Sequence, residues 1–261
     1  LYRVGLDARN FIVAPGRRHP FREWDLSLQY RDRYDVAPVD PRYWSPGRGL
    51  HGKARLALET KGPRRQENVE LDLRAGRSTS DDEFHYERVS LEARQRLDLL
   101  ERADAHLRWR VYAGSAFDRP PRELLFDVAA GARVDSLSRF YLNDRGPLLR
   151  SGHYWVPGGG GLRGYHDRAA LGKRVWALNL DLDLPMLPVL LFADVGRFER
   201  DATPAESARD LIGHTLADAG IGYGVGPIRI TAPVWVGRPE AGESPWHVRW
   251  MVSIQSLPIS F

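Results

Sequence analysis

The chain has no cysteine, two methionines and only three lysines, Lys53, Lys61 and Lys173, in 261 residues. Without cysteine there is neither a disulfide framework nor a thiolate metal site. No apolar run approaches the roughly 18 to 20 residues of a membrane-spanning helix; the longest uncharged stretches are 151–162 and 250–261. Catalytic signatures are missing too. The eight histidines (His19, His51, His85, His106, His153, His166, His214, His247) show no H-E-x-x-H or similar ligand spacing, and there is no G-x-S-x-G elbow. The expectation is a chain that is not an enzyme and holds no metal or cofactor. A net charge of +4 is too small to mark a polyanion binder, so no nucleic-acid partner is expected. No signal peptide is visible at Leu1, so the chain is expected to be a mature or excised piece, with any N-terminal domain outside it.

Arginine replaces the missing lysine, and it interleaves with carboxylates along the whole chain. Two compatible readings remain: the codon usage of a GC-rich genome, and bidentate pairing of guanidinium with carboxylate in a polar interior. The placement of the apolar residues is more informative. Between 104 and 113 the odd positions are Ala105, Leu107, Trp109, Val111 and Ala113, and the even ones include Asp104, His106, Arg108 and Arg110. Between 174 and 184, Trp176, Leu178, Leu180, Leu182 and Leu184 oppose Asn179, Asp181 and Asp183. Between 246 and 255, Trp246, Val248, Trp250, Val252 and Ile254 oppose His247, Arg249, Ser253 and Gln255. A period of two is a strand signal, because helical faces recur every 3.6 residues.

The same test predicts about twelve strands, near 2–12, 22–31, 51–60, 66–77, 85–97, 103–115, 122–134, 172–184, 188–198, 214–224, 226–237 and 246–256. A soluble β-sandwich or barrel is one reading. Three features favour a transmembrane antiparallel up-and-down β-barrel. The strands exceed the usual five or six residues and match the length that crosses a bilayer. Aromatics (Tyr2, Trp24, Tyr30, Trp109, Trp176, Trp246) sit near strand ends, as interfacial girdles do. The charged face mixes both signs, as in Arg55 and Glu59, in Glu70, Asp72 and Arg74, and in Glu92, Arg94 and Arg96, which suits cross-strand pairing in a lumen. The low mean hydropathy then follows from the charged interior. The expected architecture is a single all-β barrel domain over 1–261, of about twelve strands with sixteen possible, and a long extracellular or lumenal loop at 135–171. If Leu1 starts on the periplasmic side, that loop falls outside. The tight connections 185–187 and 225–227 then lie in the periplasm, and the long segment 32–50 is out of place there.

The long loop contains Pro157-Gly158-Gly159-Gly160-Gly161-Leu162-Arg163-Gly164-Tyr165. It is no phosphate cradle, because no Gly-Lys-Ser/Thr and no helix follow. The run Gly220-Ile221-Gly222-Tyr223-Gly224-Val225-Gly226 alternates as a strand and ends at Pro227, so it offers no helix N-terminus to a dinucleotide. Its glycines leave room on the lumen face, and Tyr165 is expected to pack beside Gly220, Gly222 and Gly224.

Leu162-Arg163-Gly164-Tyr165 after a glycine run resembles the L/V-R-G-Y/F motif of the Omp85 superfamily of outer-membrane barrels, which includes barrel-assembly and two-partner-secretion translocators. Phe192-Ala193-Asp194-Val195-Gly196 is similar to that family's F-x-D-x-G strand motif. Five predicted strands follow the loop, and the chain ends in Phe261, as the C-terminal signal of such barrels does. The resemblance covers 150–261 well, and the first half only through its strand pattern. It implies that the loop folds back into the lumen and that Arg163 meets Asp194, with Phe192 and Gly196 on the same strand. Asp181, Asp183 and Asp218 are rival acceptors. The family's commonly sixteen strands and its periplasmic POTRA repeats are departures from what this chain displays.

The resemblance implies localisation in a bacterial outer membrane, with its lipid, a polypeptide substrate and periplasmic or accessory subunits as partners. The expected role is help in inserting or translocating polypeptide or lipid at that membrane. A membrane anchor for an N-terminal enzymatic or binding domain is the alternative, and a diffusion pore is a third reading.

Overall fold

In the computed structural model the described residues are 2–12, 21–33, 47–79, 84–100, 105–128, 140–143, 146–147, 159–165, 171–184, 189–199, 211–225, 228–239 and 242–254. They form no α-helix, and no helix is long and apolar enough to cross a membrane. The first half is six long strands: β1 (Tyr2–Ile12), β2 (Phe21–Arg33), β3 (Gly47–Lys61), β4 (Arg65–Ser78), β5 (His85–Leu100) and β6 (Ala105–Arg119). Short elements follow: a 3-10 turn at Arg122–Leu124, β7 (Phe126–Asp127), β8 (Phe140–Asn143), β9 (Gly146–Pro147), a 3-10 turn at Arg163–Tyr165, and β10 (Leu171–Gly172). The second half is β11 (Arg174–Leu184), β12 (Val189–Glu199), β13 (Thr215–Val225), β14 (Ile228–Val236) and β15 (Met251–Ile254).

Thirteen of these strands form one antiparallel sheet in the order β1-β2-β3-β4-β5-β6-β11-β12-β13-β14-β15-β8-β9, and β7 pairs with β10 apart from it. Nothing from residues 120–173 comes between β6 and β11, which pair directly from Arg174↔Ser115 to Asp183↔His106; β8 and β9 of that segment pair instead beyond β15.

The alternation read from the sequence becomes two unlike faces. One face exposes Leu26, Leu28, Leu50, Leu91, Val111, Leu180 and Ile221 by 38 to 55% of their surface. A water-soluble sheet of this length would cover such a continuous apolar area. Trp24 and Tyr223 lie toward one edge of this face, and Tyr30 and Trp176 toward the other. The opposite face is charged and internally paired. Arg55 meets Glu70 at 2.6 Å and Arg108 meets Asp183 at 2.7 Å across strands, and Arg74 meets Asp72 at 2.6 Å along β4. A one-residue slip would exchange the two faces.

Two predicted strands differ in the structure. Of the predicted strand 122–134, the described part 122–128 is not a wall strand. Pro120 and Pro121 lack the N–H groups a ladder needs, and the chain turns onto the charged face, where Leu124, Phe126 and Val128 are buried. Their period of two reflects one-sided burial of an extended strip, not membership of the sheet. The last strand is Met251–Ile254 instead of 246–256. Before it, the chain keeps only separated bonds to its neighbour, Val236 N–H to Pro245 O at 2.9 Å and Arg249 N–H to Pro233 O at 3.1 Å. Pro233 cannot donate, and the β13–β14 register shifts opposite it, between Ala219 and Gly220. Phe261 lies outside the described residues.

Losing the strand at 122–134 removes the misplaced long segment. Connections 13–20, 62–64, 101–104, 185–188 and 226–227 share one edge of the sheet. Connections 34–46, 79–84, 120–173, 200–214 and 237–250 share the other. The four shortest connections thus share the first edge and the four longest the second, while 13–20 and 79–84 are of similar, intermediate length. β1 runs toward the short-connection edge, opposite to the direction expected for a start on the periplasmic side.

Leu180, in the middle of β11 between Trp109 and Ala193, tests what the apolar face meets. Against lipid, Leu180→Arg is expected to lower stability by about 2–4 kcal/mol. Urea unfolding in phosphatidylcholine vesicles measures this, and no change would mean that the face does not lie in the bilayer.

Candidate functional site

The glycine-rich end of the long connection reaches the charged face of β11 and β12. Gly161 has φ +67°, a backbone conformation that glycine adopts without steric cost, and it turns the chain into the 3-10 turn at Arg163–Tyr165. Gly164 allows a close approach: a Cβ there would sit 2.7 Å from Asp218 Cβ and 2.7 Å from Val236 Cγ2.

Arg163 is thereby placed over a set of carboxylates. Its Nε donates to Asp194 Oδ2 at 2.8 Å and its Nη2 to Asp194 Oδ1 at 2.7 Å, a two-bond fork. Its backbone N–H adds a third bond to Asp194 Oδ2 at 3.1 Å. Nη1 donates to Asp181 Oδ1 at 2.7 Å. The guanidinium carbon lies 3.9 Å from the centre of the Phe192 ring, so a planar cation has an aromatic face beneath it. The Asp194 side chain is fully buried and that of Arg163 is 16% exposed. A buried carboxylate of this kind is costly unless a cation and further donors satisfy it. Asn179 Nδ2 supplies one more bond, to Asp194 Oδ1 at 3.0 Å.

The rival acceptors separate by position. Asp181 shares Arg163, whereas Asp183 binds Arg108. Asp218 lies opposite Asp194 on β13, is buried, and packs against Gly164. Leu162 is buried and borders Gly196, where a Cβ would come 3.1 Å from Leu162 Cδ1.

Tyr165 is not beside Gly220, Gly222 and Gly224. Its hydroxyl donates to Ala217 O at 3.3 Å and accepts the Arg238 N–H at 3.2 Å, and its ring joins a cluster with Leu211, Leu216 and Val236. The room at Gly220 is taken by the Phe192 ring and that at Gly222 by Leu190. Side chains of the adjacent strand, not of the loop, fill those spaces.

Several residues absent from the sequence expectations hold the loop. Arg110 on β6 donates to Gly159 O at 2.9 Å and Gly160 O at 3.2 Å. Asn179 Nδ2 donates to Gly160 O at 3.1 Å and Gly161 O at 3.2 Å. Beneath the loop runs the 122–128 strip: Gly160 N–H bonds to Asp127 O at 2.9 Å and Leu162 N–H to Val128 O at 3.1 Å. Arg88 on β5 anchors that strip. Its fully buried side chain donates from Nε to Leu124 O at 3.0 Å and from Nη2 to Tyr112 Oη at 3.2 Å, and lies 4.1 Å from the Phe126 ring centre. Alternation had placed Arg110 and Asn179 on the charged face, and only the strand register selects them, with Arg88, from the other charges there. Among the described residues no group of three or more His, Cys, Asp or Glu side chains could hold a metal ion.

No protein-family model matches the chain, and no curated protein matches it. Among solved structures, CdiB from Escherichia coli is similar over 97% of this chain and 44% of its own, with TM-score 0.55 and 16% identity. CdiB from Acinetobacter baumannii aligns over 90% of this chain and 47% of its own, with TM-score 0.29 and 13% identity. The chain therefore spans less than half the length of either structure. At this identity the first similarity concerns the fold alone.

The fork gives a charge-swap test. Arg163→Asp sets a new carboxylate beside Asp194, Asp181 and Asp218, and is expected to cost about 3–5 kcal/mol. Adding Asp194→Arg should restore part of the folded fraction, read as heat-modifiable migration on a gel; equal losses in the single and double variants would refute the pairing. Arg88→Met leaves Leu124 O and Tyr112 Oη without their donor, at a cost of about 1–3 kcal/mol. Faster trypsin cleavage after the exposed Arg122 is the expected sign.

Proposed function

We propose that this chain is barrel wall and lumenal loop of an outer-membrane translocator of the two-partner-secretion type, moving or inserting polypeptide without catalysing a reaction itself. The observation that carries this reading is the seating of Arg163 on Asp194 and Asp181, on the charged face of a sheet whose other face is apolar. An apolar exterior and a charged, internally paired interior are what a closed sheet in a bilayer requires. The similarity of fold to CdiB from Escherichia coli supports the same class, as do the Leu162–Tyr165 and Phe192–Gly196 motifs. Segregated connections orient the wall, because outer-membrane barrels keep short turns in the periplasm and longer loops outside.

In this reading the loop is a plug. With Arg163, Arg110 and Asn179 engaged, residues 159–165 cover the interior side of β11 to β13, and a polypeptide passes only after they move. The partners are then outer-membrane lipid, a secreted polypeptide and accessory periplasmic subunits. No residue set at the site supplies a nucleophile with an adjacent base, so the seated charges act by binding.

Single-channel recording in planar bilayers tests the plug. The wild type should show small, rare openings, and Arg163→Ala should raise the conductance and the open time. Large, stable wild-type conductance would favour a diffusion pore. Secretion of a reporter polypeptide that is unchanged by the same substitution would favour a membrane anchor for another domain.

A further inference from the structure

We infer that the apolar face carries a site for an anionic, phosphate-bearing lipid, whose acyl chain lies in a groove over β2 to β6 and whose phosphate meets Arg77 and Arg119. The inference rests on the membrane-barrel reading above. It concerns the outer wall, away from the Arg163 loop.

The groove has a volume of about 890 Å³, and Leu28, Gly52, Ala54, Ala75, Val89 and Phe117 are among its lining residues. Gly52 and Ala75 are direct cross-strand partners and Ala54 faces Leu73, so small side chains leave the floor near the backbone. Leu28 and Phe117, 55% and 45% exposed, rise on either side. Lys53, Arg74 and Arg88 also border it, but alternation turns their side chains to the other face, so they contribute main chain. An apolar trough open to the bilayer suits a methylene chain.

The register places a cationic row immediately beyond it. Ala75↔Glu87↔Phe117 lies in the groove, and Arg77↔His85↔Arg119 lies two residues further along the same face, about 7 Å away. Arg77 on β4 and Arg119 on β6 flank His85 on the strand between them, two strand spacings or about 10 Å apart. On the opposite face the sheet answers its cations with carboxylates, as in Arg55–Glu70 and Arg110–Glu92. On this row, no described carboxylate pairs with Arg77 or Arg119. The nearby acids are Asp118, 3.5 Å from His85, and Glu87 on the groove line. Neither acid forms an ion pair with Arg77 or Arg119, so the two guanidiniums, each with five N–H donors, keep donors for a phosphate. The row sits at the long-connection edge of the sheet, so the lipid belongs to the outer leaflet in the orientation given above.

Native mass spectrometry tests this on protein released from nanodiscs of phosphatidylcholine with a minor fraction of phosphatidylglycerol. The wild type should retain one phosphatidylglycerol in preference to phosphatidylcholine. Arg77→Gln combined with Arg119→Gln should cut that preference about tenfold, through loss of charge-assisted hydrogen bonds. Ala75→Trp should remove the lipid while keeping both arginines. Retention equal to the wild type in both variants would overturn the site. So would displacement of the lipid by inorganic phosphate at equal concentration, which would show a bare anion site. Failure of the wild type to enter nanodiscs would instead overturn the membrane reading itself, together with this site.

Discussion

A buried carboxylate that stays ionised must be answered by a cation, and in this protein Asp194 is answered by a residue that lies on a loop. That constraint organises the middle of the chain. The loop has to cross the charged face to deliver Arg163, so its glycines serve close approach and turning, and Leu162 and Tyr165 are drawn into apolar contacts on either side of the cation. The bidentate fork, the backbone N–H and the Phe192 ring all act on one guanidinium. A lysine could not reproduce them, because an ammonium has no planar fork to match a carboxylate.

The loop does not rest on that pair alone. Arg88 holds the 122–128 strip against β5 and β6, and the strip offers carbonyls to the loop backbone. Outgoing and returning parts of the long connection are therefore bonded to each other as well as to the wall. Lifting the loop breaks its bonds to the strip as well as those of Arg163 to the wall, which makes seating cooperative in the sense that shared networks are.

Much of this was legible in the sequence, for identifiable reasons. Period-two alternation survives any uncertainty of pairing, so Trp176, Leu180 and Val111 could be assigned one face, and Asp181 and Asp183 the other, before their neighbours were known. The Leu162–Tyr165 and Phe192–Gly196 motifs were legible as a set only through their resemblance to those of a known family. The strip at 122–128 was misread because burial on one side produces the same alternation as membership of a sheet. Pro120 and Pro121 were the overlooked signal. The end of the chain was overextended because alternation says nothing about where Pro233 interrupts the ladder.

By itself the sequence determined the class of structure: an all-β chain of long strands with one apolar and one charged face, no spanning helix, and a glycine-flanked arginine with candidate carboxylates downstream. Tertiary structure alone decided which carboxylate receives it, that Arg88 and Arg110 hold the loop, and that β6 meets β11 across the long connection. The physical reason is range. Face preference is set by each residue and its immediate neighbours, whereas register is set by the sum of cross-strand contacts between segments tens of residues apart. Arg163 takes Asp194 and Asp181 because the β11–β12 and β12–β13 registers present those carboxylates, while Asp183 faces Arg108.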